Sequence, residues 1–179
     1  MKLTLKKSEA KIFAEKIFKK IKLKFFYLFF SSLYVVIMNF YGRIKFWSLV
    51  ENRSSNCHCA WNAILKNPQN IKMGKNVVIG TNVTIGAHAE VILEDEVKLS
   101  GNVIIETATL DFDKKIFPYK HTSKPIKLER GVWVGIGSVI LGGVTIGQNS
   151  VVGAASVVTK NVPANTLVAG SPAKMIRKI

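Results

Sequence analysis

From residue 128 onward an aliphatic side chain recurs at every sixth position, at Leu128, Val134, Ile140, Ile146, Val152 and Val158. Four residues after each of the first five stand Val132, Ser138, Val144, Ser150 and Ser156, all small or β-branched. A fixed short period means stacked, near-identical units. With six residues to a side and three sides to a turn, the chain winds into a triangular prism, a parallel β-helix. Each aliphatic residue points inward and stacks on its counterparts in the turns above and below. The residue four later also points inward, near a corner, so it has to be compact. A sandwich of short strands would alternate with a period of two, which residues 128–163 do not.

An earlier block repeats the pattern at Met73, Ile79 and Ile85 and, after a two-residue slip, at Leu93, Leu99 and Ile105. Val77, Val83, Ala89, Val97, Val103 and Thr109 are the inward corner residues expected there. Residues 73–90, 93–110, 128–145 and 146–163 therefore read as four coils, with Asn76, Asn82, Asn102 and Asn149 suited to corners of positive φ. Residues 111–127 lack the period and contain Pro118 and Pro125, so a loop is expected between the second and third coils. No coil buries its own core, so stacking is obligatory, and the exposed ends and faces call for a cap or a partner.

The first third of the chain is different. Of the net charge of +15, the first 53 residues supply +9, from twelve basic and three acidic side chains. Residues 8–24 carry Ala10, Phe13, Ala14, Ile17 and Ile21 on one helical stripe, with Lys11, Lys16, Lys19, Lys20 and Lys22 around it. An apolar stretch from Phe25 to Phe40 follows, about 16 residues against the roughly 20 that span a bilayer comfortably. Three readings stay open: packing on protein, lying in a membrane interface as basic helices with aromatics do, or a single span. Membrane contact through residues 8–50 is one expected partnership. Positive charge without a recognition motif gives no reason to expect nucleic acid. Cys57-His58-Cys59 is too tight for usual zinc spacing and has no second half, so no metal is expected. The Asn- and Ser-rich residues 51–70 read as a connection. The chain thus divides into a basic, apolar helical extension over residues 1–60 and a β-helix domain over residues 61–179.

The run from Gly131-Val132-Trp133-Val134-Gly135 through Gly143-Val144-Thr145-Ile146-Gly147 to Val152-Gly153-Ala154-Ala155-Ser156 resembles the hexapeptide-repeat acyltransferases. The tail Ala169-Gly170-Ser171-Pro172-Ala173-Lys174-Met175-Ile176-Arg177 is similar to their C-terminal signature. The nearest branch is the sugar O-acetyltransferases of the maltose, nodulation-factor and exopolysaccharide type, and the resemblance covers about residues 71–179. It implies a left-handed β-helix with a short C-terminal helix, a homotrimer, and acetyl-CoA as donor to a carbohydrate hydroxyl. The expected location is the cytoplasm, and on the membrane reading of the basic N-terminal segment it is the inner face of the cytoplasmic membrane. Carried over by position, Gly135 and Gly137 would admit the pantetheine close to the backbone. Trp133 would line the groove, and Ala154 and Thr159 would contact the pantetheine or adenine end. Lys160 and Arg177 would meet the cofactor's phosphates through charge-assisted bonds.

The implied reaction moves acetyl from a thioester to a hydroxyl, and a histidine takes the hydroxyl proton as attack begins. Relatives of this branch carry that histidine after a Thr-Ala-Thr-like run. Here the run is Thr107-Ala108-Thr109 and the next residue is Leu110, which accepts no proton. His121, in the loop, is the first substitute base and His88, one rung away on the same face as Leu110, the second. Asp111 or Asp113 would serve as orienting carboxylate or weak base. The alternative reading of Leu110 is a β-helix that has kept its scaffold and lost its chemistry, serving as a binding or assembly subunit.

Overall fold

A computed structural model of the chain describes residues 2–49, 56–111 and 117–179. It separates into two units, residues 1–40 and 41–179. The first unit is helical throughout its described residues, part of α1 (Lys2–Leu49). Phe25, Phe26, Tyr27, Leu28, Phe29 and Phe30 are consecutive and all exposed, so its apolar surface runs around the whole circumference.

The second unit is a left-handed parallel β-helix with three faces. Strands are numbered in chain order. One face stacks β1 (His58–Cys59), β4 (Val78–Ile79), β7 (Lys98–Leu99), β12 (Trp133–Val134), β15 (Val151–Val152) and β17 (Thr166–Ala169). The next stacks β2 (Ile64–Lys66), β5 (Thr84–Gly86), β8 (Ile104–Glu106), β13 (Val139–Leu141) and β16 (Val157–Val158). The third stacks β3 (Ile71–Met73), β6 (Val91–Leu93), β11 (Ile126–Leu128) and β14 (Thr145–Ile146). Inside, register stacks like on like: Ile79 on Leu99 on Val134 on Val152, and Ile85 on Ile105 on Ile140 on Val158. All of these are buried. Asn76, Asn82, Asn102 and Asn149 stand at corners with φ between 55° and 58°, as the pattern predicts.

Three details differ from the sequence reading. Residues 51–70 are not only a connection, because β1 and β2 lie within them and form a first turn with β3. Its inward residues Cys59, Ala63 and Leu65 are too mixed in type to display the period. The third face carries two inward residues per strand, as in Val91 and Leu93 or Ile126 and Leu128. Its strands therefore need extra residues, and the early turns are long: His58, Val78 and Lys98 are in register 20 apart, against 18 from Trp133 to Val151. Ala87 and Thr107 are consequently the buried corner residues, while Ala89 and Thr109 are only half-buried. Finally, the tail is not the short C-terminal helix that was expected. It is β18 (Lys174–Lys178), antiparallel to β17, because the open edge of β17 offers backbone partners to any chain that turns back along it.

At the other end, the last part of α1 belongs to the β-helix unit. Phe46 is buried with Cys59 and Ala63, and Gly42 lies so close to Trp61 that a Cβ there would stand 2.7 Å from the Trp61 backbone.

The later corners replace valine with buried hydroxyls. The Ser150 hydroxyl donates to Pro163 O at 2.7 Å and accepts the Thr166 N–H at 3.1 Å. Ser138 donates to Gly153 O at 2.8 Å, and Ser156 accepts the Gly170 N–H at 3.1 Å. Each serine bonds one turn to the next where the shortened turns leave backbone groups without a ladder partner. Ser150→Ala is expected to cost about 1–3 kcal/mol, the penalty for burying unpaired polar groups, read as a lower urea midpoint with an unchanged slope.

Candidate functional site

The segment leaving the prism after Thr107 is an ordered hairpin at its base. β9 (Ala108–Asp111) pairs antiparallel with β10 (Lys120–Ser123), and the chain rejoins the prism where the Lys124 N–H donates to Thr107 O at 3.0 Å. The register is Asp111 with Lys120, Leu110 with His121, Thr109 with Thr122 and Ala108 with Ser123. Residues directly opposite in an antiparallel pair project from the same side of the ribbon, with Cβ atoms roughly 4.5–5.5 Å apart. His121 therefore stands beside Leu110, on the side where a histidine at position 110 would stand. Asp111 and Lys120 occupy the opposite side, because successive residues alternate. That places Asp111 as a neighbour of Lys120 rather than as an orienting group for His121. Asp113 lies outside the described residues.

The corner from which the hairpin springs gathers other candidates. One turn earlier it holds His88, exposed, with its Nδ1 3.5 Å from Asn67 Nδ2. One turn later it holds Gly142 and Gly143, which lie against Thr107 O and the Lys124 side chain. One turn beyond that come Thr159 and Lys160, both exposed. The hairpin base is tied down by Thr107, whose hydroxyl donates to Gly86 O at 2.7 Å and accepts the Ala89 N–H at 3.1 Å. Glu106 adds a bond that no motif announces: its Oε1 accepts the Ala108 N–H at 3.0 Å, fixing the first residue of β9.

The remaining cofactor candidates gather along the opposite edge of the same face. Trp133 is exposed on β12, with its indole N–H donating to Ser100 Oγ at 3.0 Å. Gly135 follows it at the corner, where a Cβ would stand 2.7 Å from both Val152 O and Ala154 N. The next turn's backbone thus requires glycine there whatever binds outside. Gly137, two residues on, has φ +69° and open space in front of it. Ala154 is exposed beside Gly135 on the following turn. Arg177, exposed on β18, is in register with Leu167 of the first face. One chain therefore assembles Trp133, Gly135, Gly137 and Ala154 along one edge, and Thr159, Lys160 and the hairpin along another.

The third face is a poorer candidate. Its cations are answered by carboxylates: Lys72 by Glu90, Lys127 by Glu94 and Arg130 by Glu96. Glu94, hydrogen-bonded to Lys127 and adding its charge, raises that ammonium's pKa above the ordinary lysine value. No cluster of metal-ligating side chains occurs among the described residues; Cys59 is buried in the core and the Cys57 thiol donates to Gly74 O at 3.2 Å.

Comparison with known proteins agrees with this geometry. Residues 125–160 match the family model described as bacterial transferase hexapeptide (six repeats), and residues 71–107 that of the hexapeptide repeat of succinyl-transferase. A galactoside O-acetyltransferase of Lactococcus lactis is 40% identical over 93 residues, half of this chain and 44% of that protein. The chain spans about half the length of the curated relatives it matches. Among solved structures, a maltose O-acetyltransferase from Clostridium difficile is 31% identical with a TM-score of 0.69, covering 75% of this chain and 72% of that one. A hexapeptide-repeat acetyltransferase from Vibrio cholerae, complexed with acetyl coenzyme A, is 35% identical with a TM-score of 0.60, covering 65% and 64% respectively. With its period, its stacked faces and these relatives in agreement, the chain belongs to the hexapeptide-repeat acyltransferase family.

Proposed function

We propose that the protein transfers acetyl from acetyl-CoA to a hydroxyl of a sugar, on a surface polysaccharide or its lipid-linked precursor, with His121 as general base. The observation that carries this reading is the pairing of His121 with Leu110. The side chain missing at one ribbon position is supplied from the position directly across it. In the step itself, His121 takes the acceptor proton as the oxygen attacks the thioester carbonyl. The C–S bond then breaks, and the proton leaves with the coenzyme A thiol. His88, on the same corner one turn away, is the second candidate.

The cofactor would lie along the prism, with Trp133 beside the pantetheine and the glycines giving close backbone approach. Lys160 and Arg177 would meet its phosphates. The Trp133–Gly135 edge and the edge of the hairpin and Lys160 flank one face, that of β2, β5, β8, β13 and β16, which supports a homotrimer in which one copy's hairpin edge meets another's Trp133 edge. Ile64, Ile104 and Leu141 are exposed on that face and would be covered in such an assembly. The proposed location is the cytoplasm, at the inner face of the cytoplasmic membrane.

The test is thiol release from acetyl-CoA by the full chain in the presence of a panel of mono- and oligosaccharides. Acceptor-dependent release supports the reading. Acetyl-CoA binding without turnover on any acceptor would instead assign the protein a scaffold role, and absence of binding would overturn the reading altogether.

A further inference from the structure

Residues 1–40 form a unit of their own, and the described surface of residues 19–40 is unlike that of a helix in a soluble protein. Lys19–Ser48 is a helical stretch of 30 residues with mean hydropathy 1.7, and none of its most apolar part is buried. A helix that docks on protein needs one apolar stripe and a polar remainder. Here Phe25 through Phe30 run without a polar break, and Leu33, Tyr34, Val35, Val36, Ile37 and Phe40 continue on every side. The solvent that satisfies an entire circumference of this kind is lipid, in which a helix also keeps all its backbone bonds internal.

Length and charge point the same way. No charged residue stands between Phe25 and Gly42. At 1.5 Å per residue those positions extend about 27 Å, against a hydrocarbon thickness of about 30 Å. Lys16, Lys19, Lys20 and Lys24 are exposed at the amino end, where long cationic side chains reach headgroup depth while their stems stay in the apolar layer. Tyr27 and Tyr34 add amphipathic rings. We infer that residues 25–40 are a lipid-embedded anchor, and that the lysines just before them engage anionic headgroups. The inference stands on the helix alone and not on the acetyl-transfer reading.

The test is flotation of the full chain, reconstituted by detergent removal, with vesicles of phosphatidylcholine alone or with added phosphatidylglycerol. The expected result is that most of the protein floats with both, more with the anionic lipid, and stays bound through high salt and alkaline washing. A double substitution, Phe29→Asp with Val36→Asp, is expected to abolish flotation while thermal unfolding of the β-helix stays unchanged. Release by salt alone would overturn the anchor, because it would leave only surface attraction. A lipid-free oligomer with cysteine cross-links between copies along residues 25–40 would overturn it too, since the occupant would then be a second copy. The two readings fail separately: thiol release from acetyl-CoA is measured in detergent, without vesicles, and flotation is measured without substrate.

Discussion

His121→Ala is expected to lower acceptor-dependent acetyl transfer by about 10²–10⁴-fold, the usual contribution of a positioned general base. The KM for acetyl-CoA should hardly move, because no cofactor phosphate or pantetheine contact is removed. The loss should therefore fall on kcat. The decisive companion is Leu110→His placed in the His121→Ala background. It returns an imidazole to the same side of the ribbon from the neighbouring strand, so recovery of a large part of the rate is expected. If His121→Ala retains full activity and His88→Ala loses it, the base lies one turn earlier and the hairpin assignment is wrong.

The second large effect is on stability. Ile105 is fully buried between Ile85 below and Ile140 above in a continuous inward column. Truncation to alanine removes apolar area and leaves a cavity that neighbours on the stacked strands cannot fill without breaking their own ladders. A cost of about 2–5 kcal/mol is expected, a large share of the roughly 5–15 kcal/mol that holds a typical domain together. Urea unfolding at fixed protein concentration should show a clearly lower midpoint. Because each turn contacts only its neighbours, hydrogen exchange should be fastest in β5, β8 and β13 and less affected in β17. A loss below about 1 kcal/mol would mean that the column relaxes around the gap.

The fold could be read because its determinant is local and repeated. Every sixth residue faces the same environment, so Leu128 through Val158 carry the same message six times. The first turn was hidden because Cys59, Ala63 and Leu65 fill the same inward positions with three different chemistries. The tail was misread because strand or helix at residues 174–178 is decided by the open edge of β17, not by the segment's own residues. At the site, His121 and His88 were visible as candidates, but the pairing of Leu110 with His121 was not. Register across a hairpin depends on the residues of the turn and on anchors such as Thr107 with Lys124, which no spacing in the sequence displays. Glu106 escaped notice for a similar reason: its bond to the Ala108 N–H exists only because β8 ends there and the chain changes direction.

The closing strand β18 has a consequence for behaviour in concentrated solution. A parallel stack has no intrinsic length, and its last rung presents a row of unsatisfied amide and carbonyl groups that an identical rung from another molecule would fit. By folding Lys174–Lys178 back against β17 in the antiparallel sense, the chain puts on that edge a strand of reversed polarity, rich in lysine and arginine. Another copy's rung meets mismatched direction and like charge there. On that face the tail thus stands where a further parallel rung would have to add.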